Sequence, residues 1–495
     1  EIWTYGVKEL REALGIGEEG IMRILRNIYG STTAPRGLWL DLHKTLTKLG
    51  AQPVLGERCL WIFLSKRDMD GDHPRLLGAM GGHVDDFHRV GDGSAEWLEI
   101  RDAINRAYKW GMTKVKNYRH AGTDVSTVTD QRGLMKIVVN QDYYADGLPD
   151  IDIPPDRLRS DVPLERKDVD ACRTSLGALQ WLAIQSQPHL CARCNLLLTD
   201  LVTNGTMMVA REVQELIAEA RREPFSLVFE KFTDAKHWSD IIVITMGDQA
   251  HANRPKGDST GGLVTMLAGP NSASGVVCPM SLIAWRTWKL KRQAIGSNDA
   301  EVQAMLEAED QNFRTSQLWA EMHGAGGRDS ERALRRDWVE TQERMAIRVK
   351  GILCTDSKGG YDAVELNESP LLVLSNMRAA LQAFQLRDNL RRTAAELRWV
   401  ASDFDLGDAL TKKRSDCRTG LLKFLRTQRW CIRYDPQFTS AKKNKRAGRS
   451  AVDHVDEALS QMHEQLNSFY GWCNMSYSDG ECECRLIDPQ LFRAV

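Results

Sequence analysis

No run of about 18 apolar residues occurs anywhere in the chain, so no membrane-spanning helix is expected. The opening Glu1-Ile2-Trp3-Thr4-Tyr5 lacks the basic stretch and apolar core of a secretory signal, and the expectation is a chain that is not secreted. An initiating Met is also lacking, which suggests that Glu1 is not a natural start. The 11 cysteines are scattered without a repeating framework, the pattern of reduced thiols inside a cell. Neither an internal repeat nor a long low-complexity tract appears. There is no excess of one charge: 66 Lys and Arg stand against 67 Asp and Glu, for a formal net charge of −1. Any nucleic-acid footprint must therefore be local, and the basic residues do crowd between Lys412 and Arg449.

What is present is ordinary globular composition, 42% hydrophobic and 27% charged, which excludes wholesale disorder. At 495 residues the chain should divide into roughly two to four units. Trp39, Leu42, Leu46 and Leu49 recur at helical spacing. Apolar runs at Cys59–Leu64 and Leu76–Met80 read as a β-hairpin across a charged, Gly-containing turn from Ser65 to Arg75. A strand is expected at Leu134–Val139 and a Pro- and Asp-rich linker from Leu148 to Pro163. From Asp168 to Glu223 the pattern is helical, interrupted at Pro188. Three strand-like runs follow, Ile241–Thr245, Gly262–Leu267 and Met280–Trp285. Helices are expected at Asp299–Leu318, Ser330–Val349 and Leu372–Asn389, with strands at Val349–Cys354 and Leu397–Val400. The fold class is α+β or α/β, and strands followed by alternating helices and strands is the order expected of a ribonuclease H-like unit. After the basic stretch, Val452, Val455, Leu459, Met462 and Leu466 give an amphipathic helix.

Two groups of carboxylates carry possible chemistry. Asp85 and Asp86 follow the apolar strand Leu76–Met80 in Gly81-Gly82-His83-Val84-Asp85-Asp86-Phe87. Adjacent carboxylates repel, and a divalent cation is one remedy; a solvated turn is the bland alternative. Template-directed polymerases use such a pair to hold two Mg²⁺ ions. The surrounding motifs resemble copia-type retrotransposon reverse transcriptases: Tyr29-Gly30 through Ala34-Pro35-Arg36-Gly37-Leu38-Trp39, then Cys59-Leu60-Trp61, the Asp85-Asp86 hairpin, Val139-Asn140-Gln141-Asp142-Tyr143-Tyr144, and Arg173 to Ala183 ahead of Gln187-Pro188, in the family's order. Two departures stand out. Too little chain precedes Tyr29 to carry the family's further metal-binding Asp, and His83 replaces an aromatic, usually tyrosine. Pro35 near a helix start is also compatible with a simple capping turn. By the resemblance, Arg36 and His83 would contact nucleic acid.

The second group is Asp248, Glu301, Asp356 and Asp408. Carboxylates at strand ends and helix starts can converge at one edge of a sheet, although each alone could be an N-cap or a solvated group. Resemblance to the copia ribonuclease H region singles them out. Gly247-Asp248 with Ser259-Thr260-Gly261-Gly262 is similar to its first motif, and Ile283-Ala284-Trp285 with Lys291-Arg292-Gln293 and Ser297 to Glu301 to its second. Thr355-Asp356-Ser357-Lys358 resembles the third, and Leu397 to Val400 with Gly407-Asp408-Ala409-Leu410-Thr411-Lys412 the closing one. The resemblance implies two Mg²⁺ ions per active site about 3.5–4 Å apart, hydrolysing RNA in RNA–DNA hybrids.

The implied organisation is a partial polymerase palm and fingers over 1–165, a helical thumb or connection over 166–235, a ribonuclease H-like mixed sheet over 236–413, and a basic tail with its helix over 414–495. Implied substrates are an RNA–DNA hybrid, a primer–template and deoxynucleotides. Implied partners are the upstream polyprotein domains integrase, protease and Gag, in a cytoplasmic virus-like particle or the nucleus, with no membrane. Lys442, Lys443, Lys445 and Arg446 could grip phosphates, direct nuclear import, or form a solvated linker. Cys191 and Cys194 have metal-like spacing but read as buried thiols in a helix, and Cys473, Cys482 and Cys484 lack a fourth ligand. A catalytically inactive remnant that only binds nucleic acid, and a purely structural protein, are the competing expectations.

Overall fold

The computed structural model describes residues 2–5, 8–24, 34–65, 74–83, 86–130, 133–325, 338–366, 369–374 and 376–432. Tyr29, Asp85, the run from Lys442 to Arg446, the helix expected around Val452 to Leu466 and the three C-terminal cysteines lie outside them. The fold is mixed α/β with several sheets, and residues 1–438 form one compact unit. Among the described residues no helix is long and apolar enough to cross a membrane.

A short ladder of β1 (Ile2–Thr4) with β2 (Met22–Ile24) encloses helix α1 (Lys8–Leu14). Helix α2 (Ala34–Lys48) then packs on an antiparallel sheet in chain order, β3 (Gln52–Pro53), β4 (Leu60–Leu64), β5 (Leu76–His83) and β6 (Asp86–Gly91), followed by α3 (Ala95–Ala107). The expected hairpin is present, as β4 with β5. Leu42, Leu46, Trp61, Phe63, Leu77, Met80, Trp97 and Ile104 bury one face of this sheet between the two helices. Glycine is required where the Trp97 ring crosses it, because a Cβ at Gly78 would lie 2.4 Å from that ring.

A second sheet has the order β10-β9-β8-β7, formed by β7 (Asn117–His120), β8 (Thr123–Thr129), β9 (Met135–Asn140) and β10 (Leu227–Glu230). Between β9 and β10 run α4 (Pro155–Leu158), α5 (Arg166–Gln185), α6 (Cys191–Thr203) and α7 (Met207–Arg222). The stretch expected to be a linker is instead packed. Ile151 and Ile153 are buried, Ile151 N donates to Gln214 Oε1 at 2.9 Å, and Arg221 donates to Leu148 O. Isolated apolar residues among Pro and Asp gave no periodic signal to read.

The third sheet is six-stranded, ordered β15-β14-β11-β12-β13-β16: β11 (Ile242–Ala250), β12 (Thr260–Ala268), β13 (Cys278–Lys289), β14 (Lys350–Thr355), β15 (Glu396–Trp399) and β16 (Arg429–Trp430). β12 pairs antiparallel with both β11 and β13, while β11, β14 and β15 run parallel. Central β11 is buried along its whole length, which its unbroken Ile-Val-Ile run permits. Helix α8 (Ser297–Met322) lies on one face, with α9 (Trp338–Ala346) and α10 (Met377–Thr393) beside it. Asn312 fixes α8 to the sheet: its buried Nδ2 donates to Val243 O, Thr245 Oγ1 and Ile352 O at 3.0–3.3 Å. The far end of α8 reaches the first sheet, where Leu318 and Met322 pack on Val54, Ile62 and Ala79 and Leu55 N donates to Glu321 Oε1 at 2.7 Å.

Candidate metal centre

The direction of three elements brings the second group of carboxylates together. Parallel pairing sends the carboxyl ends of β11 and β14 to the same edge of the sheet. Helix α8 runs the other way: Ala308 approaches Gly247 and, one turn on, Asn312 reaches Val243. Its first turn therefore lies at that same edge. Asp248 from β11, Glu301 from α8 and Asp356 just past β14 offer ligand atoms all within 4.8 Å of one another, the arrangement of a group able to hold a metal ion.

One boundary expected from sequence is corrected. Asp248 does not follow its strand; β11 continues through Ala250, and Asp248 pairs with Gly262 on β12. Gly247 and Thr245 face α8, so strand alternation turns Met246 and Asp248 to the opposite face. There a turn packs on them. Leu406 N donates to Met246 Sδ at 3.4 Å, and a Cβ on Gly262 would lie 2.8 Å from Leu410 Cβ, so glycine is what lets the turn sit flat on β12.

Asp248 and Glu301 are almost fully buried and Asp356 is partly exposed, which makes Asp356 the side from which solvent reaches the cluster. Each of the buried pair is oriented by a threonine. Thr411 Oγ1 donates to Asp248 Oδ2 at 2.6 Å, and Thr355 Oγ1 donates to Glu301 Oε1 at 2.8 Å. Burial pushes the Asp248 carboxyl up to about 8; Lys412 pulls it down, and Asp356 and Asp408 add to the rise. Burial, then Asp248 and Asp356, raise Glu301 well above the ordinary carboxyl range, and burial also raises Asp356. Three carboxylates that each resist ionisation while facing one another form a site whose charge a cation would relieve. All the donors are hard oxygens, which fits Mg²⁺, Mn²⁺ or Ca²⁺ better than a soft metal.

Asp408 stands beside the triad. It is ion-paired with Lys412, whose Nζ also lies 3.8 Å from Asp248 Oδ2. Burial works against the Lys412 ammonium, yet Asp248 and Asp408 hold its pKa above the ordinary lysine value. Of the other candidates, Asp86 is exposed at the start of β6 and paired in register with His83, and Arg36 is exposed in the first turn of α2. Cys191 and Cys194 are buried in α6, and burial pushes the Cys191 thiol up to about 12, as expected of packed thiols. No protein-family model and no curated protein matches the chain.

One residue escaped the sequence reading. Asp405, buried three residues before Asp408, has its carboxyl held well above the usual range by burial and then by Asp356 and Asp248. Its signal was its place in Asp403-Phe404-Asp405, which reads as a pair of solvated turn aspartates until the turn is seen to lie on the sheet.

Proposed function

We propose that the chain derives from the polymerase polyprotein of a copia-type retroelement and that residues 236–413 are a divalent-cation-dependent ribonuclease H acting on RNA–DNA hybrids. The observation that carries this reading is the gathering of Asp248, Glu301 and Asp356, separated by 53 and 55 residues in sequence, into one group of oxygen donors, two of them buried and the third partly exposed. The sheet supports it as well. Three antiparallel strands extended by two parallel ones, with a long helix bearing Glu301 across the central strand, is the strand plan expected of such a unit.

Asp248, Glu301 and Asp356 would hold the cation, or a pair of Mg²⁺ ions, and the bound metal would supply Lewis acidity and an activated water against the phosphodiester. Thr411 and Thr355 fix the rotamers of Asp248 and Glu301, so the carboxylates meet a substrate already oriented. The sheet and α8 exclude water from the inner side of the site, leaving Asp356 at the approach. Lys412 places a positive charge next to Asp248 and limits the repulsion within the cluster. Hybrid binding would rest on phosphate contacts and weaken steeply with salt. Residues 1–235 are then the remainder of a polymerase palm and its helical connection, with Asp86 at the start of β6, Asp85 outside the described residues, and a primer–template with deoxynucleotides as substrate.

One observation favours a second reading, an inactive remnant that binds hybrids without cutting them: the Asp408 carboxylate is engaged by Lys412. A 5′-labelled RNA strand annealed to DNA separates the two. Cleavage dependent on Mg²⁺ and absent from Asp356→Asn supports the hydrolase; wild type and Asp356→Asn behaving alike refutes it.

A further inference from the structure

We propose that the outer face of α10, with the cavity between it, α8 and the end of β13, is a docking surface for an acidic amphipathic helix of a partner protein. The surface is separate from the metal centre, and the proposal does not depend on what that centre does.

The apolar part of the surface is a stripe. Met377, Leu381 and Phe384 stand at i, i+4 and i+7 on α10 and are 59%, 59% and 43% exposed. Three large side chains on one edge of a helix, uncovered by the rest of the described chain, mark a surface that a partner buries. Leu381 also lines a cavity of about 510 Å³, whose apolar lining includes Trp288, Leu290 and Leu306. The charged part is cationic. Lys291, Arg292 and Arg378 line the cavity against a single carboxylate, Glu307, which is already shared by Lys291 at 2.6 Å and Arg286 at 2.8 Å. Arg292 and Arg378 have no ion-pair partner among the described residues. Gln303 adds an unmet polar group: it lines the same cavity, is 8% exposed, and its carboxamide has no hydrogen-bond partner among the described residues. A buried amide left in that state is costly, and a polar group of an entering ligand would satisfy it.

These features select the occupant. A second copy of the chain would bring identical patches together and set one cationic rim against another. Nucleic acid would use the cations but leave the aliphatic stripe in water. Nor does Trp288 offer an open ring for a base, since the Arg286 guanidinium lies 4.4 Å from its centroid and a Cβ on Gly261 would lie 2.6 Å from it. A helix with large apolar side chains along one edge and carboxylates beside them meets every requirement. Its apolar edge covers Met377, Leu381 and Phe384 and enters the cavity, while its carboxylates pair with Arg292 and Arg378.

The test is fluorescence anisotropy of a labelled peptide of about 15 residues, Leu at helical spacing with Glu between, titrated with the full chain beside the same peptide carrying Lys in place of Glu. The Glu peptide should bind saturably and at least about tenfold more tightly than the Lys peptide, and Leu381→Glu should weaken it at least about tenfold. Joint Arg292→Glu and Arg378→Glu should reverse the preference toward the Lys peptide. All three positions are exposed, so the variants should fold, which circular dichroism checks. Should Leu381→Glu unfold, Met377→Ser is read in its place with the same direction of effect. Absence of saturable binding, equal affinity for the two peptides, or wild-type affinity in the folded Leu381 variant overturns the proposal. A single-stranded oligonucleotide that binds more tightly than the Glu peptide, and loses that affinity in the double arginine variant, overturns it too and assigns the surface to nucleic acid.

Discussion

Asp86 and Asp356 each follow an apolar strand, β5 and β14, and the two meet opposite surroundings. Asp86 opens β6 in a four-stranded antiparallel sheet and is exposed, with solvent to carry its charge. Asp356 lies just past β14 in a six-stranded sheet, and a long helix and the neighbouring strand β11 bring Glu301 and Asp248 against it. The difference lies in topology more than in residue type. An antiparallel hairpin delivers only its own turn residues to its tip, whereas parallel strands with an intervening helix deliver residues far apart in sequence to one edge. Burial then turns acidic residues into a cation-seeking cluster, an effect Asp86 does not experience.

Substitution at both places is the strongest way to break that comparison. Asp248→Asn or Asp356→Asn should lower hybrid cleavage on the order of 100-fold or more, while Asp86→Asn should leave it unchanged within error. Equal losses at Asp86 and Asp356 in a cleavage assay would contradict the contrast. Next in size is the packing beneath the site. Gly262→Ala places a methyl 2.8 Å from Leu410 Cβ and Thr411 Cγ2 and should cost about 1–3 kcal/mol in urea unfolding, with cleavage lost in parallel as the Asp405–Thr411 turn is displaced. An unchanged midpoint would mean that the turn does not sit on β12.

A pH series sharpens the comparison further. A carboxyl at about 8 in the fold and about 4 when unfolded favours the folded state through its neutral form. That contribution is complete below about pH 4 and disappears as pH rises through about 8, so the cation-free protein should lose stability between pH 5 and 8. Adding Mg²⁺ at about fivefold its Kd should restore roughly 1 kcal/mol at pH 8 and much less at pH 5, where protons compete. Equal Tm shifts at the two pH values would contradict this. The smallest expected effect is Asp86→Ala, at less than about 0.5 kcal/mol in the same unfolding assay, since the side chain is exposed.

Much of the third sheet was legible because its strands are apolar runs, from Ile241 onward and again at Val349–Cys354, and the helix carrying Glu301 is a long run without Gly or Pro. The ends were not. Gly247, Asp248 and Gln249 belong to β11 only because β12 pairs with them, which no local preference for strand announces. The hairpin of β7 and β8 was missed altogether: its strands are mostly polar, and its turn, Ala121-Gly122 with φ of 44° and 80°, lacks the usual Asn-Gly signal. Asp248, Glu301 and Asp356 were found through motif order, since their proximity is a tertiary fact. Asp405 could not be found that way, because its burial depends on Gly262 and Gly407 letting a turn lie flat against the sheet.

The most direct measurement of the central claim is calorimetric titration of Mg²⁺ into the wild-type chain at pH 7 in two buffers of different ionisation enthalpy. Because the cluster holds protons that a cation must displace, binding should be accompanied by proton release on the order of one per ion, and both binding and release should diminish in Asp248→Asn. Absence of saturable binding, or binding with the same proton count in wild type and Asp248→Asn, would contradict the account.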